Sequence, residues 1–453
     1  MNLKEAQRKK RRQKVHRICM VSDFFYPRLG GVEMHIWCLS QWLLRRGHKV
    51  IIYTPASGNR KGVRYMTNGL KVYYVPLTAF HDGVSWPTLY ASFPLFRNIL
   101  IREAITIVHG HQATSNTAHE CMLFAKTMGY KVVYTDHSLF GFADLASIHL
   151  NKLMKFMMCE ADHAIAVSNT CRENLVLRAN MAPKKISTIP NAIDPMKFIP
   201  DPSKRFPTNT INLVIISRLT YRKGVDLVVQ VIPVLSQKYP NLHFIIGGDG
   251  PKKLLLEEMR EKYQLHDRVE LLGAVPHEKV RDTLNRGHIF LNCSLTESFC
   301  IAILEAASCG LFVVSTKVGG VSEVLPSRLI KFAEPTVSGL IGAVADAIPL
   351  AKKVIPSDLH NEVKGMYSWE DVSVRTEYVY DQVAEFPDQS LAERFGNYKA
   401  VGGMFGQLVC CFVSAAVHLV YIFLQWAYPS DEIQLAPDFP CLKYSKNPDK
   451  YHE

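Results

Sequence analysis

Two carboxylates lie eight residues apart in the segment Thr296–Glu305, at Glu297 and Glu305. The apolar residues between them predict a helix from about Ser298 to Ser308, and a rise of roughly 1.5 Å per residue would separate the carboxylates by about 12 Å. That distance is close to the span of an extended nucleotide-sugar from ribose to hexose. The free N–H groups at a helix start favour an anion such as a pyrophosphate. This one element could therefore hold sugar, phosphate and ribose.

A structural role for the first carboxylate is the alternative. Ser294 and Glu297 have the spacing of a capping box, in which both side chains satisfy backbone groups at a helix start. Glu305 is harder to explain in this way. It lies among apolar residues, where an unpaired carboxylate is costly.

Basic and glycine-rich segments follow two predicted strands in the same half of the chain. Arg218 and Lys223 lie between a strand ending near Ser217 and a predicted helix, the usual position for phosphate contacts in open α/β sheets. Gly248 lies in the loop Gly247–Pro251 after the next strand. A solvated basic loop and an ordinary Gly-Asp-Gly turn are the alternatives.

The first half of the chain has its own candidate residues. Gly30-Gly31 follows the first predicted strand and could let the backbone approach a diphosphate closely. His137 follows the predicted strand Lys131–Thr135 and could orient or polarise a sugar hydroxyl, although a structural histidine fits the local sequence equally well. His109 and His111 share a strand face but lack a nearby Cys, Asp or Glu, so no metal site is predicted.

The composition is that of a large globular chain. Its 453 residues, 48% of them hydrophobic, are enough for two or three domains. The eleven cysteines are odd in number and scattered, which predicts reduced thiols. The net charge of +12 draws on a basic tail over residues 1–15. A solvated tail is its ordinary explanation and an anionic membrane surface the functional one, whereas no nucleic-acid motif supports a nucleic-acid partner.

Residues 404–427 form an uncharged, apolar segment that is long enough to cross a bilayer core of about 30 Å. Arg394 and Lys399 precede it and acidic residues follow it. The positive-inside rule then predicts one transmembrane helix, with the large amino-terminal part in the cytosol and residues 428–453 as a short tail on the other side. A buried globular helix is the alternative.

Strand and helix patterns alternate along the rest of the chain, which predicts an α/β fold with parallel sheets. Turn-forming residues from Pro190 to Pro195 mark a boundary between two such series. We therefore predict two Rossmann-like lobes that face a cleft, at residues 16–190 and 191–385, with ligands at the carboxyl ends of the strands.

Taken in order, the motifs resemble glycosyltransferase family 4, whose members have the GT-B fold. The matching segments lie within residues 16–380 and are Gly30-Gly31, Pro190–Asp194, Ser217-Arg218 with Lys223-Gly224, Gly248–Pro251, and Glu297 with Glu305. The chain departs from the family pattern at Ser298, where many members have glycine.

The resemblance implies roles for individual residues. Arg218 and Lys223 would stabilise the charge that develops on a UDP leaving group, in the place of a metal ion, so neither metal nor cofactor is expected. Glu305 would hold the ribose hydroxyls, and Glu297 the hexose hydroxyls. The other residues that the resemblance places at the donor, beside the diphosphate or the reacting sugar, are Phe299, Cys300, Ile301, Gly248, His137, Gly30 and Gly31.

Three segments are more specific within the family: Met20–Pro27, Thr135–Asp144 and the apolar segment at 404–427. They resemble members that begin GPI-anchor biosynthesis. This implies retaining transfer of N-acetylglucosamine from UDP-GlcNAc to the inositol of phosphatidylinositol, at the endoplasmic reticulum membrane and together with other subunits. The catalytic lobes would be cytosolic and the tail lumenal. Transfer of another sugar such as mannose, or a noncatalytic GT-B scaffold, are the alternatives.

The acceptor side is less clearly marked. Aromatic and aliphatic residues are concentrated in the segment Val84–Phe96, and Trp86 and Phe93 could touch the bilayer or the lipid acceptor. Packing in a core is the alternative for both.

Overall fold

A computed structural model describes residues 14–28, 30–81, 83–139, 145–205 and 210–438. Most of the predicted basic tail, residues 1–15, lies outside these residues, as do Phe140–Asp144 of one family segment. The chain forms two compact units. Unit 1 comprises Met1–Ala166, Arg172–Ile189 and Ser373–Glu453, and unit 2 comprises Val167–Cys171 and Pro190–Val372.

Unit 1 is built around a mostly parallel sheet. Its strands are β1 (Arg17–Val21), β2 (Lys49–Pro55), β3 (Gly62–Met66), β4 (Leu70–Val75), β5 (Ala79–His81), β6 (Val84–Ser85), β7 (Ile107–His111), β8 (Lys131–Asp136), β9 (His163–Ala166) and β10 (Ile186–Thr188). The large sheet has the order β10-β9-β8-β7-β1-β2-β4-β3, and β5 pairs with β6 separately. All pairings in the large sheet are parallel except that of β3 with β4.

Helices connect the parallel strands, as the alternating pattern predicts. They are α1 (Gly31–Arg45), α2 (Phe93–Arg102), α3 (Asn116–Thr127), α4 (Leu145–Met157) and α5 (Asn169–Ala179). The central strand β1 is buried over Ile18–Val21, which explains its continuous apolar sequence.

Unit 2 contains a second, wholly parallel sheet. Its strands are β11 (Ile211–Ile216), β12 (Leu242–Gly247), β13 (Val269–Gly273), β14 (Ile289–Asn292), β15 (Phe312–Thr316) and β16 (Ile330–Ala333), in the order β13-β12-β11-β14-β15-β16. Its helices are α6 (Val225–Lys238), α7 (Lys253–Lys262), α8 (His277–Leu284), α9 (Ile301–Ser308), α10 (Val337–Ala351) and α11 (Pro356–Met366). Leu213, Phe244 and Ile289 lie in its hydrophobic core, on neighbouring strands.

The chain returns to unit 1 within the next helix, α12 (Trp369–Ala384). His16 Nε2 lies 2.8 Å from Asp381 Oδ1, and His109 Nδ1 lies 2.7 Å from the hydroxyl of Tyr380. The predicted second lobe, residues 191–385, therefore ends too late, because residues from Ser373 onward pack against the first sheet.

The last helix, α13 (Leu391–Ala427), contains the predicted apolar segment. A backbone break at Gly403, with φ 61° and ψ 179°, divides it in two. Residues Gln407–Ala427 have a mean hydropathy of 2.1, and by length and composition they could cross a membrane.

The segment after α13 contradicts the predicted topology. Ala436 N–H donates to Arg102 O over 2.7 Å, and Asp438 forms ion pairs of 2.7 Å with both Arg17 and Lys49. Arg17 and Lys49 begin the strands β1 and β2. A tail on the far side of a bilayer could not make these bonds, so the described part of the predicted lumenal tail, up to residue 438, lies on the same side as unit 1. Residues 439–453 lie outside the described residues.

Candidate active site

A tight turn after β11 positions Lys223. Residues Tyr221–Lys223 form one turn of 3-10 helix, and Gly224 ends it with φ 72°. A Cβ at Gly224 would lie 1.9 Å from the backbone oxygen of Cys293, which follows β14. Glycine at this position therefore allows two neighbouring strand ends to approach closely.

This approach brings together two predicted site residues. The Lys223 ammonium pairs with Glu297 Oε1, and the two side chains are 25% and 11% exposed. Burial alone would lower the pKa of Lys223, but the charge of Glu297, the nearby Cys300 and the hydrogen bond to Glu297 together raise it. Lys223 therefore keeps its positive charge at neutral pH, and the pair lies at the carboxyl edge of the sheet.

Ser294 extends the pair into a polar network that the sequence reading did not assign to the site. Its hydroxyl lies 2.8 Å from Glu297 Oε1 and 2.8 Å from Asn292 Oδ1, and Asn292 Nδ2 donates to Ser315 over 2.9 Å. A hydroxyl has one proton, so Ser294 can donate to only one of its two acceptors at a time. The polar run Asn292-Cys293-Ser294 at a strand end was the available signal.

The helix after Glu297 begins later than predicted. Helix α9 starts at Ile301, because Cys300 has φ 76° and residues 297–300 are not helical. The spacing of about 12 Å, which assumed a helix from Ser298, is therefore wrong in its premise. The capping box is also wrong, because the Ser294 hydroxyl contacts the Glu297 carboxylate and the residue before the helix makes no side-chain cap.

Glu305 lies within α9 and is partly buried. Burial raises its pKa to about 7. Among the described residues, no hydrogen-bond or ion-pair partner is found for its carboxylate. A partly buried carboxyl group without a partner is suited to accept hydrogen bonds from ligand hydroxyls.

The remaining donor residues of unit 2 surround this helix start. Phe299 is buried against Tyr367, with ring centroids 5.7 Å apart. Cys300 and Ile301 contribute N–H groups at the start of α9, for which no backbone acceptor is found in the described part of the chain. Burial raises the pKa of the Cys300 thiol, so it is protonated at neutral pH. The two N–H groups could donate to a phosphate or sugar oxygen.

Gly248 positions the loop of Arg218. A Cβ at Gly248, where φ is 148°, would lie 1.9 Å from Ser217 O, and Leu219 N–H donates to Asp249 O over 2.8 Å. The side chain of Arg218 is exposed. The glycine therefore allows the two loops to pack, which leaves the guanidinium at the surface of unit 2.

The predicted residues of unit 1 form a separate group. Nitrogen atoms of His35, His111 and His137 lie within 4.8 Å of one another, an arrangement that could hold a metal ion. His111 Nδ1 and His137 Nε2 are 3.3 Å apart. Burial, followed by the neighbouring histidines, lowers the pKa of both rings well below the usual value. At neutral pH both are therefore uncharged, able to donate or accept one hydrogen bond at each nitrogen.

The two glycines lie at the start of α1. Gly30 precedes the helix with extended backbone, and Gly31 is its first residue. A Cβ at Gly30 would lie 2.6 Å from Glu33 Oε2, so the Glu33 carboxylate lies beside this turn.

Asp23 was missed as an organising residue of this unit. It follows β1, and its carboxylate accepts from Ser85 N–H, Thr117 N–H and the hydroxyl groups of Ser115 and Thr117, over 2.7–3.0 Å. It thereby ties together the ends of β1 and β6 and the start of α3. The pattern of a single aspartate after a strand carried too little information to predict this.

One of the two predicted lipid-contact residues is in the core. Phe93 is fully buried and stacks on Phe124, with centroids 4.6 Å apart, so it cannot touch a bilayer. It begins α2, whose inner face covers the sheet. Trp86 is 52% exposed and its ring lies 4.1 Å from that of Phe80.

Comparisons with known proteins agree with the site. The family model for PIGA (GPI anchor biosynthesis) matches residues 55–144, and that for glycosyl transferases group 1 matches residues 199–355. The chain is 54% identical to the PIGA-type subunit of phosphatidylinositol N-acetylglucosaminyltransferase from Arabidopsis thaliana, over 94% of this chain and 95% of the relative. It is 52% identical to the Homo sapiens protein of the same name, over 94% and 88%. Sucrose-phosphate synthase from Thermosynechococcus elongatus, at 18% identity and a TM-score of 0.68, covers 81% of this chain and is itself covered to 99%.

The two sheets, the Lys223–Glu297 pair and these matches define a glycosyltransferase of the GT-B class. Identity above one half over nearly the whole length identifies the group within that class. The chain belongs to the PIGA family, the glycosyltransferase subunits of phosphatidylinositol N-acetylglucosaminyltransferase.

Proposed function

We propose that this chain transfers N-acetylglucosamine from UDP-GlcNAc to the inositol of phosphatidylinositol with retention of configuration, the first step of GPI-anchor biosynthesis. The observation that carries the proposal is the near full-length identity of 54% to a relative named for this transfer. The charged pair of Lys223 and Glu297, beside an unpartnered Glu305, supports a donor site in unit 2.

Each donor-site residue has a role that its chemistry supports. Lys223 and Arg218 stabilise the negative charge that develops on UDP as the glycosidic bond breaks. Glu305 accepts hydrogen bonds from the ribose hydroxyls, and Glu297 accepts them from the hexose. The N–H groups around Cys300 bind a diphosphate oxygen. Lysine and arginine do the work of a metal ion, so the proposed transfer needs no metal at this site.

Unit 1 supplies its own groups to the proposed reaction. The neutral His137 is suited to hydrogen-bond a sugar hydroxyl without adding charge, and the backbone at Gly30 and Gly31 is open to a diphosphate or to the acceptor. The proposed acceptor is a membrane lipid. We therefore place the enzyme at the endoplasmic reticulum membrane, with both units on the cytosolic side and with further subunits of a transferase complex as partners.

A transfer assay tests the proposal. The purified complex receives labelled UDP-GlcNAc and phosphatidylinositol vesicles, and the product is measured as lipid-bound label. Lys223→Ala and Glu305→Gln should each reduce transfer by at least about 100-fold, which corresponds to roughly 2.7 kcal/mol of lost transition-state stabilisation.

Matched controls come from the surface of the same unit. Lys253 and Glu257 form an exposed pair within α7, 46% and 40% exposed. Lys253→Ala and Glu257→Gln should leave transfer unchanged, because exposed pairs contribute little. Full activity of the Lys223 and Glu305 variants would contradict the site and favour a noncatalytic scaffold. Labelling from GDP-mannose in preference to UDP-GlcNAc would contradict the donor.

A further inference from the structure

The apolar helix α13 is bonded to unit 1 at its first turns. Arg394 Nη2 lies 3.0 Å from Glu160 Oε2, and Arg394 Nη1 donates to the Thr127 hydroxyl over 3.1 Å. The Tyr398 hydroxyl donates to Glu160 and lies 3.3 Å from Ser414 Oγ, which is beyond the break at Gly403. Arg394, Glu160 and Tyr398 are almost fully buried. The helix start is thus part of the folded unit.

The far end of the same helix is bonded to the same unit. The fully buried Arg97 of α2 donates to Gln425 and, over 2.8 Å, to the backbone oxygen of Tyr428. Between the two ends, Val417 and Leu424 are buried, and the ring of Tyr421 lies 6.4 Å from that of Phe93. The helix therefore lies along unit 1 over its whole apolar length.

The chain then continues along unit 1 instead of leaving it. The bonds of Ala436 and Asp438 to Arg102, Arg17 and Lys49 fix the following residues at the amino ends of β1 and β2. A bilayer core is about 30 Å thick, and charged groups on its two sides cannot form hydrogen bonds with one another. A spanning helix is incompatible with bonds to one unit before, along and after it.

The opposite face of the helix is apolar and exposed. Its residues recur at helical spacing and are Leu408 (65% exposed), Phe412 (74%), Leu419 (66%), Ile422 (52%), Phe423 (56%) and Trp426 (78%). One stripe packs on protein and the other needs a second apolar partner, which explains a helix that is apolar nearly all round. An apolar stripe that ends in Trp426 and Tyr428 suits a membrane interface.

We propose that α13 lies in the plane of the membrane, as an interfacial helix that holds unit 1 on the bilayer surface, and that it does not cross the bilayer. Its exposed stripe enters the boundary between headgroups and acyl chains. The chain after residue 428 stays on the side of unit 1. The proposal rests on the membrane-lipid acceptor proposed above, because that acceptor makes a bilayer the occupant of the stripe.

Protease accessibility tests the orientation. The full-length chain with an epitope tag after Glu453 is expressed with its complex, and sealed microsomes are treated with protease. The tag should be removed without detergent, as should the same tag placed before Met1, while a lumenal marker protein stays intact. A carboxyl-terminal tag that survives until detergent is added would overturn the proposal. The readout does not depend on transfer, so it can fail while the proposed function stands.

A photo-crosslinking experiment tests the occupant. Benzoylphenylalanine replaces Phe412 on the exposed stripe or, as a control of similar size, Tyr421 on the packed face. Irradiation of microsomes that contain radiolabelled phospholipid should yield at least about tenfold more lipid adduct at position 412 than at 421. Equal lipid labelling, or an adduct at 412 with protein alone, would show that the stripe is not covered by lipid.

Discussion

At the scale of single residues, the site is charged before any ligand arrives. The attraction between Lys223 and Glu297 holds two long side chains in one place, and a partly buried pair is screened less by salt than an exposed one. A donor that binds both residues must share or open this pair, so part of its binding energy is used there. Glu305 differs, because its carboxylate has no competing partner among the described residues and its ionisation is free to follow the ligand.

The raised pKa of Glu305 predicts a pH dependence of donor binding. The ionised carboxylate accepts hydrogen bonds from ribose hydroxyls, and a pKa of about 7 means that this form grows as pH rises from 6 to 8. Affinity for UDP-GlcNAc should therefore increase over this range by up to about tenfold, with release of a proton on binding. Calorimetric titration of the purified complex, in buffers of different ionisation enthalpy, measures both quantities.

Glu305→Gln provides the control for that titration. Its amide does not ionise, so binding should be weaker at pH 8 and should lose most of its pH dependence. The intact donor is preferable to UDP, because the terminal phosphate of UDP titrates in the same range. A pH dependence that persists unchanged in Glu305→Gln would assign the titration to another group.

At the scale of elements, the sequence predicts strands well and the site helix poorly. Strands β13 and β14 have their predicted bounds, because buried parallel strands are short apolar runs between turn residues. Helix α9 starts three residues after the predicted Ser298, because Cys300 adopts a left-handed conformation. Apolar periodicity does not report such a backbone feature. The Lys223–Glu297 contact was also not predictable, since it depends on which strands are neighbours.

The turn at Gly224 allows a test at this scale. Gly224→Ala introduces a Cβ at φ 72° and within 1.9 Å of Cys293 O, so the turn and the end of β14 must separate. We expect a loss of about 2–4 kcal/mol of stability and a large loss of transfer, because Lys223 moves with the turn. Thermal unfolding of the purified chain and the transfer assay measure the two effects.

Gly342 is the matched control for this substitution. It lies within α10 of the same unit, and a Cβ there would meet no atom within 4 Å. Gly342→Ala should raise stability by about 0.5–1 kcal/mol and leave transfer unchanged, because alanine favours a helix. Equal effects of the two substitutions would show that the Gly224 turn has no special constraint.

At the scale of the whole molecule, unit 1 is assembled from both ends of the chain. Sequence patterns are local, so the two βα series could be predicted but the return of residues after Ser373 could not. The return is specified by pairs that are distant in sequence, such as Arg46 with Glu377 and His16 with Asp381. Hydropathy alone predicted a spanning helix at 404–427 because it does not distinguish an apolar stripe packed on protein from one in lipid.

The Arg394–Glu160 pair decides whether the carboxyl-terminal helices belong to the fold of unit 1. Burial raises the pKa of Glu160 to about 7 even though Arg394 opposes the shift. Arg394→Met leaves a buried carboxylate without its cation, so unfolding should cost about 3–5 kcal/mol less at pH 8. The folded state then binds a proton that the unfolded state lacks above about pH 4.5. Stability should therefore fall as pH rises from 5 to 8, as measured by thermal unfolding.

Two further variants separate this pair from its surroundings. Glu160→Gln combined with Arg394→Met removes both charges, so the variant should recover part of the lost stability and lose the pH dependence. Asp388→Asn removes the 70% exposed partner of Lys131, in the link just before α13, and should cost no more than about 1 kcal/mol. If Arg394→Met were as mild as Asp388→Asn, α13 would be a tether attached to unit 1 and not part of its fold. A large, pH-dependent loss would instead mean that the helix and the sheet unfold together.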